Sequence, residues 1–441
     1  MEHFIKLAFK NVFRQKKRSF TLGVNYAVVA FILVLLLAFS RGATVNISDS
    51  LVRSSAGHIT ITGRFAKDGK IYGGIERTGD VVAGVKKTFG NDASTIVRYA
   101  VKSTVYYGGL SKRLSFTGID TESDTRLGEQ AQFSAGSWDD FAKDPNGVAM
   151  PRAEAEYFGL KIGDEIVLST RTRFGAFNTG ILVVRGIYES TNYFAKSAVL
   201  AHFDYLRDVD LSDTDAASSI YVYLPSTANL AAKRKALAAE LAAQGFEVRV
   251  PTSDSEAIAA VSGASTKYEA DKEGRDRTIL TLATLDEVLG IVRSVLAAVN
   301  GVGSFIAAVM LFVIAVSIFI NLRMSVNERM QEIGTMRAMG VEASGVTALF
   351  VLESVALALL FSGAGAVLAA VVALVVRLAF TFPSGGNLGI FLDGGHLVLI
   401  PDPIAMLGVV AVISLFAAFF SFFPARRGGL IPPVEALTKT F

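Results

Sequence analysis

The chain contains no cysteine. That excludes disulfides, thiolate metal sites and a cysteine nucleophile within these residues. It is compatible with an oxidising compartment without requiring one. Histidine is scarce, and His3, His58, His202 and His396 stand far apart with no metal-ligand spacing. Acidic neighbours such as Asp139 and Asp140, or Asp393 and Asp402, have no partner that completes a catalytic constellation, so they read as solvated surface. Phosphate-binding glycine loops are missing as well. Gly69-Lys70 is followed by Ile71 and lacks the upstream glycine of a P-loop. Neither sign of charge dominates: 43 Lys and Arg against 40 Asp and Glu leave a formal net charge of +3, too small to argue for nucleic acid.

What the chain has is apolar length. Hydrophobic residues make up 51% and mean hydropathy is +0.44, yet 19% of residues are charged. That mixture requires two kinds of segment. Apolar runs at Leu22 to Phe39, Val295 to Ile320, Val346 to Val376 and Ile404 to Phe423 each approach or exceed the roughly 18–20 residues that cross a bilayer as a helix. Basic residues set the orientation. Lys6, Lys10, Arg14, Lys16, Lys17 and Arg18 precede the first run, Arg323, Arg329 and Arg337 lie between the second and third, and Arg426 and Arg427 follow the fourth. Segment 378–403 has almost no basic residue. Both termini and the 321–345 loop are therefore expected in the cytoplasm, with segment 42–285 outside. The first run also has signal-peptide character, but the preceding amphipathic arm of Phe4, Leu7, Ala8, Val12 and Phe13 favours an uncleaved anchor.

The expected fold is membrane α-helical, with four transmembrane helices and a large α+β extracytoplasmic domain inserted between the first and second. The expected divisions are an arm at 1–20, helices at 21–41, 345–378 and 403–424, and a domain at 42–264. A stalk with the second helix takes 265–321, a coupling helix 322–344, an outer loop 379–402 and a tail 425–441. Alternating and β-branched segments predict strands at 58–62, 94–107, 165–168, 181–184, 220–224 and 246–250. Helices are predicted at 80–89 and 229–244, the second ended by Gly245. Segments 42–110 and 215–264 would form one α/β subdomain, with a mostly β subdomain at 111–214 inserted in it. Ser265 to Val292 reads as a charged helical stalk.

The most informative segment is Asn327 to Gly340, NERMQEIGTMRAMG. Met330, Ile333, Met336 and Ala338 recur at helical spacing, and Glu328, Arg329, Glu332 and Arg337 take the remaining surface. Such a helix can lie on the membrane face and present itself to a soluble partner. A solvated interfacial turn is the competing reading. Glu353, early in the third run, either snorkels or pairs with a basic residue of the coupling segment or of a partner subunit. Gly363 and Gly365, and Asn300, Gly301 and Gly303 in the second run, offer close helix approach.

Several stretches carry a family resemblance. Leu7 to Arg14 with Lys16 to Ser19, Glu328 to Gly340, Glu353 with the small residues after it, Pro424 to Arg427 and Pro432 to Leu437 are the membrane-side ones. Gly147 to Glu165 and Val184 to Tyr188 are the outer ones. Together they resemble the FtsX/LolC/MacB-type ABC transporter permease family, nearest to its lipoprotein-releasing subunits. The resemblance implies a non-catalytic subunit of the bacterial inner membrane, in contact with lipids and with no nucleic acid. No cofactor is implied in this chain; ATP and Mg belong to a separate cytoplasmic ATPase. A second permease, identical or not, would complete the pair. Closure of the ATPase would push on Glu328, Arg329, Glu332, Ile333, Met336 and Arg337.

Ser169 to Gly180 reads as a protruding hairpin, with glycines at 175 and 180 to turn it. Lipoprotein-releasing permeases have a hairpin at the corresponding place that recruits a periplasmic lipoprotein carrier. Arg173, Phe174 and Phe177 would do that here, although the family's proline-rich pattern is missing. A plain β-hairpin is the competing reading. The leading function is lipoprotein release. The alternatives are efflux of peptides or antibiotics, and division-type regulation of a cell-wall hydrolase.

Overall fold

A computed structural model describes residues 16–54, 56–190, 192, 195–261, 276–382 and 387–432. The arm before Lys16, residues 262–264 at the end of the expected domain, residues 265–275 of the expected stalk and the motif at 433–437 lie outside the described residues. The chain opens with α1 (Lys16–Ser54). This helix does not stop with its apolar run near Phe39. Ala43, Ile47 and Leu51 continue a buried stripe at four-residue spacing, which keeps the helix going for about four more turns.

Next come β1 (Ile59–Lys67), β2 (Lys70–Gly73), β3 (Ile75–Glu76), α2 (Thr78–Phe89), β4 (Ser94–Tyr107) and β5 (Leu110–Ile119). β6 (Ala131–Gly136), β7 (Gly147–Pro151), β8 (Glu165–Arg171), β9 (Phe177–Ser190) and β10 (Val199–His202) follow. β11 (Ala216–Ala217), β12 (Ser219–Tyr223), α3 (Leu230–Ala243), β13 (Glu247–Arg249) and β14 (Arg277–Thr284) close the α+β part. Then come α4 (Gly290–Glu328), α5 (Met330–Ala338), α6 (Ala343–Ala379) and α7 (Pro403–Gly429).

The chain divides into two compact units. The first is α+β and takes residues 46–294 with 383–395. Its strands run in the order β13-β14-β1-β12-β4-β5-β10-β7-β9-β6, with β2 on β1 and β8 on β4 and β9. Two cores flank this path. In one, Val81 and Val85 of α2 meet Leu237 and Leu241 of α3 over Ile59, Ile61, Ile220 and Leu282. In the other, Phe116, Val148, Leu168, Leu182 and Val199 pack around Tyr99. β4 belongs to both: Ser94 to Arg98 pair with β12, while Tyr99 to Tyr107 pair with β5.

The handover from one half to the other therefore falls at Arg98 and Tyr99, twelve residues before the expected boundary at 110/111. The stalk expectation also needs correction. Residues 277–284 are a strand paired with β1 and β13, not helix. Their β-branched and aliphatic RTILTLAT run is buried on both faces, with Thr278, Ile279, Leu280, Leu282, Ala283 and Thr284 all covered. The helical character assigned to that region rested on the charged residues before it.

The second unit is helical, built from α1 up to Val45, α4 from Val295, α5, α6 and α7. α1, α4, α6 and α7 are each long and apolar enough to cross a membrane. Tyr26, Ala30, Ile314, Ile318, Leu357, Ala366 and Ile413 form their shared core. Asn25 donates to Ser317 Oγ at 3.1 Å, so a polar side chain among the spans has a partner.

Close approach singles out Gly365 but not Gly363. A Cβ at 365 would stand 2.2 Å from the Ala27 carbonyl oxygen of α1, whereas a Cβ at 363 has open space. Gly365→Ala is expected to destabilise the chain by about 1–3 kcal/mol as α1 and α6 are forced apart. Gly363→Ala should be neutral or slightly stabilising, since alanine is the better helix former by about 1 kcal/mol. Melting of the two variants in detergent checks this; equal effects would refute the contact.

Candidate transmission site

α4 runs past the expected end of its span to Glu328, and the expected coupling helix at 322–344 shortens to α5. Between them Arg329 leaves helical geometry, with φ −102° and ψ 21°. The bend costs little backbone bonding. The Arg329 amide still donates to Ser325 and its carbonyl accepts from Ile333 at 2.9 Å. At the far end Gly340, with φ 94°, closes α5: its amide reaches the Arg337 carbonyl and Val341 reaches Met336. That is a Schellman cap, which only glycine makes without strain.

The bend aims the Arg329 side chain inward. Its Nε donates to Glu332 Oε2 at 2.7 Å and its Nη1 to Glu353 Oε2 of α6 at 3.0 Å. The guanidinium also lies 5.2 Å from the centre of the Phe350 ring. Arg329 is 9% and Glu353 8% exposed, so this is a largely desolvated ion pair. Burial works against the charge on Arg329, but the Glu332 and Glu353 carboxylates outweigh it and hold its pKa above the ordinary value. Below this pair, Ile333 is fully buried with Leu322, Val326, Val346, Phe350 and Ala425, and Met336 packs at the edge.

The structure thus brings Arg329, Glu332, Ile333, Met336 and Glu353 together. Arg337 lies beside them and donates to the Val341 carbonyl at 3.2 Å. Glu328 sits on the exposed side, and Glu332 keeps a side chain 60% exposed. Phe350, the ring beneath the guanidinium, escaped the sequence reading because it looks like any apolar residue of a span. Its one signal was its position three residues before Glu353.

The hairpin residues separate instead. β8 and β9 do form a hairpin, with Arg171 opposite Phe177 and the turn at 172–176. Gly175, at φ 91°, makes that turn. Gly180 does not: it lies within β9, where a Cβ would stand 2.6 Å from the Tyr205 hydroxyl. Arg173, expected at a docking tip, is partly buried, with its side chain turned inward. It pairs with Asp210 at 3.1 Å and reaches the Tyr99 hydroxyl, which itself donates to Asp210 at 2.5 Å. Burial pushes the Tyr99 phenol well above its ordinary range, so it remains a donor. Phe174 is half exposed and packs against Tyr72 and Phe65, at 5.2 and 6.4 Å between centroids. Phe177 alone projects freely, at 82% exposure.

Residues 304–430 match the FtsX-like permease C-terminal family. A macrolide export ATP-binding/permease protein MacB of Photorhabdus laumondii is 29% identical over 136 residues, 31% of this chain and 19% of that protein. An uncharacterized ABC transporter permease of Methanocaldococcus jannaschii is 30% identical over 157 residues, 36% of this chain and 37% of that one. The chain therefore spans well under half the length of these curated relatives. Among solved structures, the extracellular domain of the ABC-type transporter YknZ from Gram-positive bacteria aligns at 16% identity and TM-score 0.29. That alignment covers 42% of this chain and 94% of that one. The periplasmic region of MacB from Actinobacillus actinomycetemcomitans aligns at 10% identity and TM-score 0.32, covering 55% and 95%. Scores this low leave the fold of the α+β unit resting on its own strand pairing.

Two predictions come from this geometry. Glu353→Ala leaves Arg329 with a single, exposed acidic partner and is expected to cost about 3–5 kcal/mol, whereas Arg329→Met with Glu353→Leu should recover most of that loss. Melting of the single and double variants forms the cycle; additive losses would show that the pair is not coupled. Phe174→Ala should lower the melting temperature by an amount matching about 1 kcal/mol of lost packing, with Phe177→Ala nearly silent. Equal shifts would contradict the placement of the two rings.

Proposed function

We propose that the chain, whose residues 304–430 match the FtsX-like permease C-terminal family, is an FtsX/MacB-type permease subunit of an ABC transporter that passes motion from a separate ATPase to its α+β domain. The chain sits in the inner membrane, with both termini and α5 in the cytoplasm and the α+β unit in the periplasm. Two permease chains, identical or not, stand over two ATPase chains that hold ATP and Mg. The observation that carries this reading is the Arg329 junction. Glu328, the last residue of α4, and Glu332 of α5 lie on the exposed side, while Ile333 and the Arg329–Glu353 pair fix the other side of α5 to α6. A push on α5 then displaces packed helices and is not absorbed by a loop.

Relatives named macrolide export ATP-binding/permease proteins favour efflux of peptides or antibiotics as the cargo reading. Lipoprotein release is the second reading, and one observation speaks for it: the solvated Phe177 ring at the side of the β8–β9 hairpin. With Arg173 committed to Asp210 and Phe174 to Tyr72, a carrier would have to dock on Phe177 without them. Truncating a buried interface aromatic typically costs 2 kcal/mol or more, so cross-linking of Phe177→Ala to a periplasmic carrier tests that reading.

Purification of the full chain in mild detergent is expected to recover a cytoplasmic ATPase. Glu328→Arg should lower transport per ATP hydrolysed several-fold and leave the melting temperature almost unchanged, since exposed charges contribute only about 0–1 kcal/mol; Glu332 is left in place because it holds the buried Arg329. A chain that purifies without any ATPase, or a charge-reversed variant with normal coupling, would overturn the proposal.

A further inference from the structure

The last turn of α1 ends in the α+β unit, and its carbonyl groups are met one by one. The final four carbonyls of any helix lack intrahelical partners. Here the Leu51 carbonyl accepts from the Ala56 amide at 2.8 Å. The Val52 carbonyl accepts from the Tyr223 hydroxyl at 3.2 Å and the Arg53 carbonyl from Gln130 Nε2 at 3.2 Å. The Ser54 carbonyl accepts from Arg98 Nη1. One residue earlier, the Ser50 carbonyl accepts from Asn192 Nδ2 at 2.7 Å.

These donors are themselves locked. Asn192 also donates to Gln130 Oε1 at 2.8 Å, and Arg98 grips Asp124 through Nε at 2.6 Å and Nη2 at 3.2 Å. Arg98, Gln130, Asn192 and Tyr223 are all below a tenth exposed. The donors come from both halves of the sheet. Tyr223 is in β12 and Arg98 is the last β4 residue paired with β12. Gln130 precedes β6 and Asn192 follows β9, on the inserted half. The cation of Arg98 stands at the negative end of the α1 dipole, where positive charge is favoured.

A cap needs one or two such bonds. Donors to every terminal carbonyl, drawn from two subdomains, make something stiffer. We propose that the α1 terminus is a seat that locks the helix to both halves of the α+β unit at their junction, with Arg98, Gln130, Asn192 and Tyr223 as positioning residues for transmission. This role rests on the permease reading above. Displacement of α1 along its axis then moves both halves together, and tilting α1 breaks bonds to one half before the other.

The absence of native cysteine allows spin labels to be placed without background. Asp49→Cys reports on α1, Lys86→Cys on the α/β half and Lys143→Cys on the inserted half, all at exposed positions. Pulsed dipolar spectroscopy of the full chain in lipid nanodiscs should give narrow 49–86 and 49–143 distance distributions. Gln130→Met with Asn192→Leu removes the inserted-half donors at similar volume. It should broaden the 49–143 distribution about twofold, as that half gains freedom against the helix, while the 49–86 distribution stays narrow. An Arg113→Cys/Lys143→Cys pair that stays narrow shows the inserted half still folded; the milder Gln130→Met alone is read in the same way. An unchanged 49–143 width in the variants, or a broad one in the parent chain, overturns the seat. In the ATPase complex, nucleotide should leave the 86–143 distance of the parent unchanged, because both halves move with α1, and should shift it in the double variant, where only the α/β half still follows the helix. A shift in the parent, or none in a variant whose 49–143 distribution has broadened while nucleotide still moves the 49–86 pair relative to the membrane helices, overturns the transmission role. A complex in which nucleotide shifts no distance in either chain, with a narrow 49–143 distance in the parent, counts against the permease reading and leaves the seat standing.

Discussion

β4 is one unbroken strand shared by two sheets, and the arrangement of the α+β unit depends on it. Because side chains alternate along a strand, Arg98 and Tyr99 leave it on opposite faces. Each then meets a buried acid: Arg98 meets Asp124, and Tyr99 meets Asp210, which is also held by Arg173. Buried ion pairs add little net stability, yet breaking one leaves a desolvated charge and is costly. Their effect here is geometric. They hold the strand on both faces at the residue where its pairing passes from β12 to β5.

The helical unit solves a similar problem at the Arg329 junction with a different balance. A single bend between α4 and α5 keeps its backbone bonds, so the chain turns without an orphaned amide. The side chain at the bend then ties the short helix to α6 through Glu353. An apolar plug, Ile333, and an ion pair, Arg329–Glu353, sit next to each other. The plug supplies burial without direction, and the ion pair supplies direction at small net energy. Glu328 and Glu332 remain on the other side, where charges are solvated and individually weak.

The parts legible in the sequence were those fixed by local periodicity. The four apolar runs, the long β4 pattern at 94–107 and the α3 segment ended by Gly245 follow from hydrophobic spacing and backbone preference. The glycine at 175 was legible as a turn because its φ is positive, whereas Gly180 is there for a neighbour, Tyr205, that sequence spacing cannot reveal. Arg173 misled for a similar reason. Its partner Asp210 lies 37 residues away in the chain, and a basic residue beside Phe and Gly reads as exposed unless that pairing is known. Residues 277–284 were misread because charged neighbours masked an eight-residue β pattern. The Arg329–Glu353 contact was readable only as one of two options, since a carboxylate near a span end satisfies either snorkelling or pairing.

The strand order also dictates when each half of the α+β unit becomes complete during synthesis. The inserted half draws on a continuous stretch: β4 turns directly into β5, and β6 to β10 follow within residues 131–202. Its core is available once the chain has been made to about Val209. The other half cannot close so early. β1, at Ile59 to Lys67, waits for β12 at Ser219 and for β14 at Arg277 to Thr284 before both its edges are covered. Closing so long a loop is slow, and an uncovered strand edge is the usual seed for wrong pairing. The half that closes last is therefore the one most exposed to misassembly, and it is the same half whose final strand leads directly into α4. A chain interrupted between residues 223 and 277 would carry a finished inserted half and a β1 covered on one edge by β12 but open on the edge that β14 takes, which marks it for aggregation or proteolysis instead of a stable fragment.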